Sequence, residues 1–380
     1  YLPRERILQM QALSGQIAWD QVQRQFHPDV TWFEWCITER CNLRCRYCYE
    51  ESGEDNRGKK HRELTTEQAL QILRSLGESS RKLDRQLVIC WSGGEPLMRR
   101  DLLDLITCAR DEGMLNSIAT NGTTLTADLA ARLRDLEVAN VLISVDSVEP
   151  EIHDALRGAG SHARALAAIE RCKQAGLLIM VETVATRHNW REIGALKRWT
   201  EEEVGGFFFH RPALEVGRAE ASDLLMTPEQ YRELYQERNQ DVLAKLEAGK
   251  GLQIPLFAIF DLVPFAHCPS SQKEREHLEW GVGCQACRLI HGISSTGELL
   301  PCIRLKLPLG NLLEESFLAI TEKELYRKIA LREGRGGPCA DCMHVELCGG
   351  GCLAEVMAQT GDPFAGWDRC WLQERKKSEP

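Results

Sequence analysis

Cys41, Cys45 and Cys48 fall within eight residues, CNLRCRYC, and a C-x3-C-x2-C loop of this kind supplies three thiolates to an iron–sulfur cube that needs four. The iron left open can bind a reacting small molecule, so the pattern points to a catalytic cluster. A cube that only carries electrons is normally closed by a fourth cysteine. A zinc knuckle is the competing reading, and the x3-x2 spacing fits common zinc pairs poorly. Cys36, five residues upstream in the strand-like run TWFEWCIT, reads as a buried thiol.

The elements that must position this loop follow from hydrophobic periodicity. From residue 31 to about 210, strand-like TWFEWCIT, LVICWS, LNSIAT, VLISVD, LIMVETV and FFFH are separated by helix-like stretches near 66–76, 101–112, 126–136, 163–175 and 190–204. The strands lack clean alternation, as expected for a parallel sheet covered by helices, and six units are too few for a closed eight-stranded barrel. The fold class is therefore α/β, an open, partial (β/α)6 barrel. Such barrels place chemistry at the carboxyl ends of their strands, where the cysteine loop, SGGEP, TNGT and SVDS all fall. Gly93 and Gly94 allow backbone to approach a ligand, or simply form a strand-to-helix turn. Asn121, Ser144 and Asp146 offer hydrogen bonds to a bound ligand. Alternatively, Asp146 caps a helix starting near Pro150 and Asn121 takes a left-handed turn. Arg157 meets a carboxylate or is a solvated helix end.

With 380 residues, 43% of them hydrophobic, the chain is long enough for two or three domains. A formal charge of -9 disfavours a surface that tracks phosphates, so nucleic acid is an unlikely partner. Sixteen cysteines in close clusters suggest metal centres in a reducing, cytoplasmic setting rather than disulfides. The longest apolar run, IPLFAIFDLVPFA, is too short for a membrane span, and YLPRERILQM has no signal-peptide core. Residue 1 is Tyr, not Met. Cys90, Cys108 and Cys172 sit in apolar patterns and read as core thiols.

The C-terminal third carries Cys284 and Cys287, then Gly297-x4-Cys302, then Cys339, Cys342, Cys348 and Cys352 in CADCMHVELCGGGC, and finally Cys370. Eight thiols suffice for two closed cubes, and a pair of zinc ribbons is the competing structural reading. Glycines 349 to 351 permit a tight turn that wraps N–H groups toward sulfur. The expected organisation is an N-terminal arm (1–30), the partial barrel (31–210), a bridging segment with a capped, charged helix (211–267) and a cysteine-rich iron–sulfur domain (268–380).

The cysteine loop with its aromatic Tyr47 resembles that of the radical S-adenosylmethionine (SAM) superfamily, and the C-terminal spacing resembles its SPASM extension. The resemblance implies that the open iron of a [4Fe-4S] cluster on Cys41, Cys45 and Cys48 chelates SAM, and that a 5'-deoxyadenosyl radical abstracts hydrogen from substrate. It further implies that Gly93, Gly94 and Glu95 hold the SAM amino group, with Tyr47, Asn121, Ser144 and Asp146 also at the cofactor. Of two auxiliary clusters, the inner would use Cys302, Cys352, Cys284 and Cys287, with Cys268 as the alternative to one of the last two. The outer would use Cys339, Cys342, Cys348 and Cys370. A low-potential donor such as flavodoxin or ferredoxin is implied.

Because SPASM enzymes commonly modify peptides or proteins, that is the first reading of the substrate. Porphyrin side-chain modification is the second, from CGGGCLAEVMAQTGDPFAGWDRC and ISVDSVEPEIHDALRG. The residues before Cys36 are too few for the leader-binding module that some peptide maturases carry. Sulfatase maturation is disfavoured because Ile303 follows Cys302 where that family has an acid. Glu215, Asp223, His267 and His291 are then the available general bases. From another class, an iron–sulfur electron carrier or a zinc-stabilised binding protein would leave the SAM-side loops unexplained.

Overall fold

The structure, a computed structural model, describes residues 30–53, 63–220, 223–234, 284–331, 333–342, 345 and 349–367. Residues 1–29 of the N-terminal arm, the bridging segment from residue 235 on with most of its expected charged helix, His267, Cys268, Cys348 and Cys370 lie outside the described residues.

Six parallel strands, β1 (Val30–Thr38), β2 (Gln86–Gly93), β3 (Leu115–Thr120), β4 (Asn140–Ser144), β5 (Ile179–Ala185) and β6 (Phe207–Pro212), lie side by side in chain order. Order without reversal is the barrel pattern, since a doubly wound sheet switches direction in mid-sheet. Between the strands run α1 (Thr66–Leu83), α2 (Leu102–Asp111), α3 (Ala127–Asp135), α4 (Pro150–Arg157), α5 (Ser161–Ala175) and α6 (Ile193–Trp199). Helix α1 shows why: Thr65 and Gln68 form a reciprocal capping box. Its buried Ala69, Ile72, Leu73 and Leu76 make one stripe at helical spacing, and left-handed Asp84 stops it.

The alternating residues of β1 separate two cores. Phe33, Trp35 and Ile37 pack with the helices, whereas Val30 and Trp32 join Val88, Cys90, Leu142, Met180 and Phe209 on the concave side. Above that apolar plug, Arg211 Nη1 of β6 donates to Glu34 Oε2 of β1 at 3.1 Å. Across a flat sheet those two strands would be roughly 24 Å apart, so the pair shows how far the sheet curls.

The sheet does not end at six strands. Strand β7 (Ile290–Ile293) pairs parallel with the outer edge of β1, and β8 (Glu298–Leu300) and β9 (Gly310–Asn311) continue antiparallel. The cysteine-rich region is thus stitched onto the barrel by backbone pairing that satisfies an otherwise open edge. Three short helices follow, α7 (Phe317–Thr321), α8 (Glu324–Ala330) and α9 (Leu353–Thr360). Among the described residues no helix is long and apolar enough to cross a membrane.

His291 on β7 is packed against Phe33 and Phe317, with ring centroids 5.1 and 5.2 Å away, and its Nε2 lies 2.9 Å from the Tyr326 hydroxyl. It belongs to this aromatic core, which removes it from the candidate bases. Burial holds its pKa down at about 3, and burial likewise holds His153 of α4 at about 4. Both folded values lie below the ordinary 6.5, so the unfolded chain takes up these protons first as pH falls. The stability they contribute above pH ~6.5 is therefore lost on acidification, down to about pH 4 for His153 and about pH 3 for His291. We expect His291→Leu to flatten part of the fall in thermal midpoint between those pH values. An identical pH profile for variant and parent would contradict this.

Candidate active site

The cysteine loop leaves β1 at Thr38, and the loop after β2 docks on it through backbone alone: Gly94 N donates to Thr38 O (2.7 Å) and Glu95 N to Arg40 O (2.8 Å). Gly93 has φ +121°, and a Cβ added at Gly93 or Gly94 would collide with the Thr38 or Arg40 carbonyl. The glycines are thus required by the contact between the two loops, before any ligand is considered. The Glu95 side chain turns away from the cleft. Its buried carboxylate accepts from Leu97 N (3.1 Å), Thr120 Oγ1 (2.7 Å) and Asn121 N (2.8 Å), locking the second loop to the third.

Asn121 donates through Nδ2 to Asn42 Oδ1 (2.9 Å) and reaches Cys41 Sγ at 3.9 Å. It takes no left-handed turn; Gly122 does, at φ +72°. Asp146 differs from both of its expected roles. Its carboxylate accepts from Arg157 Nε (2.7 Å) and Nη2 (3.2 Å), from Val184 N (3.1 Å) and from the Tyr47 hydroxyl. It is fully buried behind the cleft wall with its hydrogen-bonding capacity committed, and Glu149 occupies the N-cap of α4. Arg157 is accordingly a carboxylate partner, and Tyr47 anchors the cysteine loop to the end of β4. The Tyr47 ring packs with Leu156, Ala213, Ala219 and Leu224, and Arg157 lies 5.4 Å from its centroid.

A third clamp comes from the segment after β6. Arg218 donates through Nε to Cys45 O (2.7 Å), through Nη1 to Ser52 O (2.8 Å) and through its amide to Cys48 O (3.1 Å). Gly217, at φ +57°, lies so close that an added Cβ would be 2.5 Å from Cys48 O. Arg218→Ala removes two of these bonds from beneath the thiols. Iron retained by the loop after desalting should fall severalfold, in line with about 1 kcal/mol per lost bond. Unchanged iron content would show that the loop holds itself.

Cys41, Cys45 and Cys48 line one cleft with Gly93, Gly94, Asn121 and Ser144, and about 990 Å³ of atom-free space lies there, its open mouth included. As bare thiols the cysteines are poorly placed to ionise, since burial pushes Cys41 up to about 12 and Cys45 up to about 11. Cys41 Sγ nevertheless faces donors, Leu43 N at 3.4 Å and Asn121 Nδ2. Sulfur that receives N–H groups in an enclosed pocket suits thiolate whose charge is carried by iron. Among the described residues no three His, Cys, Asp or Glu side chains converge tightly enough for a single metal ion.

The second cysteine group is also brought together. Burial raises the Cys287 thiol, with further increments from Cys284 and Cys302, and Cys352, pushed up to about 12 by burial, feels Cys284 as well. Cys287 holds φ +60°, rare for a residue with a side chain. Farther out, Cys339 Sγ accepts from Trp367 N at 3.4 Å and is within electrostatic reach of Cys342. Gly349, Gly350 and Gly351 all have positive φ, from 77° to 85°, as the expected tight turn requires. Cys36, Cys90 and Cys172 are buried, as expected, while Cys108 is half-buried on α2.

Of the proposed bases, Asp223 is exposed and paired with Arg46 (2.8 Å) and His188 (3.1 Å), and Glu215 is not part of the cleft wall. The acids that do line the cleft are Glu34, Glu50 and Glu182, with Arg211, Arg218 and Arg304 among them. Sequence reasoning missed these. The available signal was a charge inside an otherwise apolar buried strand, as in TWFEWCIT, MVETV and FFFHR.

Comparison with known proteins agrees with this geometry. A model of the Radical SAM superfamily matches residues 35–200, and one of the SPASM iron–sulfur cluster-binding domain matches 284–343. AdoMet-dependent heme synthase of Methanosarcina barkeri is 28% identical over 90% of this chain and 97% of its own length. Mycofactocin maturase MftC of Mycolicibacterium smegmatis is 30% identical over 88% and 80%. The solved structure of anSMEcpe with bound AdoMet and Cp18Cys peptide superposes with a TM-score of 0.69 over 92% of this chain and 95% of its own, at 18% identity, a likeness of fold.

Proposed function

We propose, from the premise that this chain belongs to the radical SAM superfamily and carries a C-terminal SPASM domain, that it uses SAM to abstract hydrogen from an organic substrate. The chain is an enzyme of that superfamily, whose domains imply SAM and iron–sulfur clusters. The observation that carries the reading is the placement of three thiols on one cleft at the carboxyl ends of parallel strands, with a glycine loop docked directly on them.

In this reading Cys41, Cys45 and Cys48 hold a [4Fe-4S] cluster, and Gly93, Gly94, Asn121 and Ser144 form the wall that receives SAM. Glu95, Asp146 and Tyr47 keep those walls in register from behind. When bound and reduced, the cluster with SAM supplies a 5'-deoxyadenosyl radical able to take a hydrogen atom from substrate. Cys284, Cys287, Cys302 and Cys352 would hold an inner auxiliary cluster, and Cys339, Cys342, Cys348 and Cys370 an outer one, both [4Fe-4S]. A flavodoxin or ferredoxin would be the electron donor.

For the substrate, a porphyrin side chain is the reading we favour, because a relative named heme synthase aligns along nearly its whole length. Peptide modification is the second, supported by the 30% identical mycofactocin maturase. The test incubates the anaerobically reconstituted enzyme with SAM, dithionite and iron-coproporphyrin III. Porphyrin of altered mass, formed in step with 5'-deoxyadenosine, is expected. Unaltered porphyrin beside continuing SAM cleavage would remove the porphyrin reading.

A further inference from the structure

The floor of the cleft holds a charged quartet for which cluster and cofactor binding give no reason. Arg211 Nη1 is bonded to Glu34 at 3.1 Å, and its Nε stands 3.1 Å from Glu182 Oε1 without the alignment of a hydrogen bond. Arg304 lies two residues after Cys302, and its guanidinium makes one hydrogen bond among the described residues, Nη2 to Pro212 O at 2.7 Å. Pro212 follows Arg211 on β6, so the two guanidinium groups approach the same strand end and line the cleft that holds Cys41, Cys45 and Cys48. Arg304 is also felt electrostatically by Cys302 and Cys352, which puts it between the catalytic thiols and the inner second group.

Two acids against two guanidinium groups leave this half-buried quartet neutral when all four are charged. Burial raises the Glu182 carboxyl above its ordinary range, and the facing Arg211 guanidinium opposes that rise. Among the described residues the other N–H donors of the Arg304 side chain have no hydrogen-bond partner, and the residue lines the cleft. A planar fork with spare donors is suited to a carboxylate, which it can bind bidentately with one compensating charge, better than to a doubly charged phosphate.

We propose that Arg304, supported by Arg211, anchors a carboxylate of the substrate on the cleft floor between the catalytic cysteines and the inner auxiliary cysteines. This rests on the reading of the cleft as a substrate site. It names the group recognised: a porphyrin propionate, or the C-terminal carboxylate of a peptide.

The test reads Arg304 directly. Reconstituted protein is treated with phenylglyoxal, which modifies accessible guanidinium groups, and the Arg304 adduct is quantified by peptide mapping. Benzoate should slow modification by at least about fivefold, and benzamide should not. Equal effects of the two, or none, overturn the anchor. Coproporphyrin III should protect and its tetramethyl ester should not, which identifies the carboxylate as a propionate. Protection by benzoate and by a free-acid peptide but not its amide, with none by coproporphyrin III, keeps the anchor and removes the porphyrin reading, so the two failures are distinguishable. Arg304→Gln should weaken coproporphyrin III binding by about tenfold or more, with Arg304→Lys recovering only part. Equal affinity in Arg304→Gln and parent would overturn the anchor while leaving the porphyrin reading in place.

Discussion

Replacing Cys41, Cys45 and Cys48 together with alanine should abolish SAM cleavage and remove roughly a third of the reconstituted iron, one of the three cubes proposed above. The remaining iron should persist, because Cys284, Cys287, Cys302 and Cys352 approach one another in a different part of the fold. Folding should survive as well. The loop is held by backbone carbonyls through Arg218 and by the Tyr47 hydroxyl, none of which the substitutions touch. Iron by colorimetric assay and 5'-deoxyadenosine by chromatography check both halves. Full retention of either quantity would contradict the assignment.

Gly94→Val should be nearly as damaging, and for a reason the structure changes. From the sequence, a side chain at Gly94 obstructs an approaching ligand and leaves the cluster alone. In the fold, the added Cβ would meet the Arg40 carbonyl next to Cys41, so the GGEP loop must lift off the cysteine loop. The bonds from Gly94 N to Thr38 O and from Glu95 N to Arg40 O go with it, and with them the carboxylate link from Glu95 to Thr120 and Asn121. Loss of SAM affinity should therefore be accompanied by loss of iron from the catalytic loop, by tenfold or more on the scale of about 1–3 kcal/mol for the broken bonds. A variant with the parent's cluster absorbance and SAM affinity would show that the loop contact is dispensable.

The contrast shows what the sequence made legible. Parallel strands covered by helices read as apolar runs, so all six barrel strands were visible, and cysteine spacing alone separated the catalytic loop from the auxiliary group. Roles of polar residues at strand ends were not legible, because Ser144, Glu95 and Asp146 have the same composition cues and differ only in which way their side chains turn. Ser144 lines the cleft, whereas Glu95 and Asp146 are absorbed by their neighbours. Nor could periodicity reveal β7, four residues long, whose place depends on the free edge of β1. In the quartet of Glu34, Glu182, Arg211 and Arg304, the pairing of β5 with β6 sets Arg211 beside Glu182, and the curl of the sheet brings Glu34 of β1 to them.

The most direct measurement is anaerobic incubation of the reconstituted protein with SAM and dithionite, followed by quantification of methionine and 5'-deoxyadenosine. The cleft built around Cys41, Cys45 and Cys48 predicts the two products in equal amounts, dependent on reductant and absent from the triple alanine variant. Intact SAM in the presence of a full complement of iron and sulfide, or stoichiometric zinc in place of iron, would contradict it.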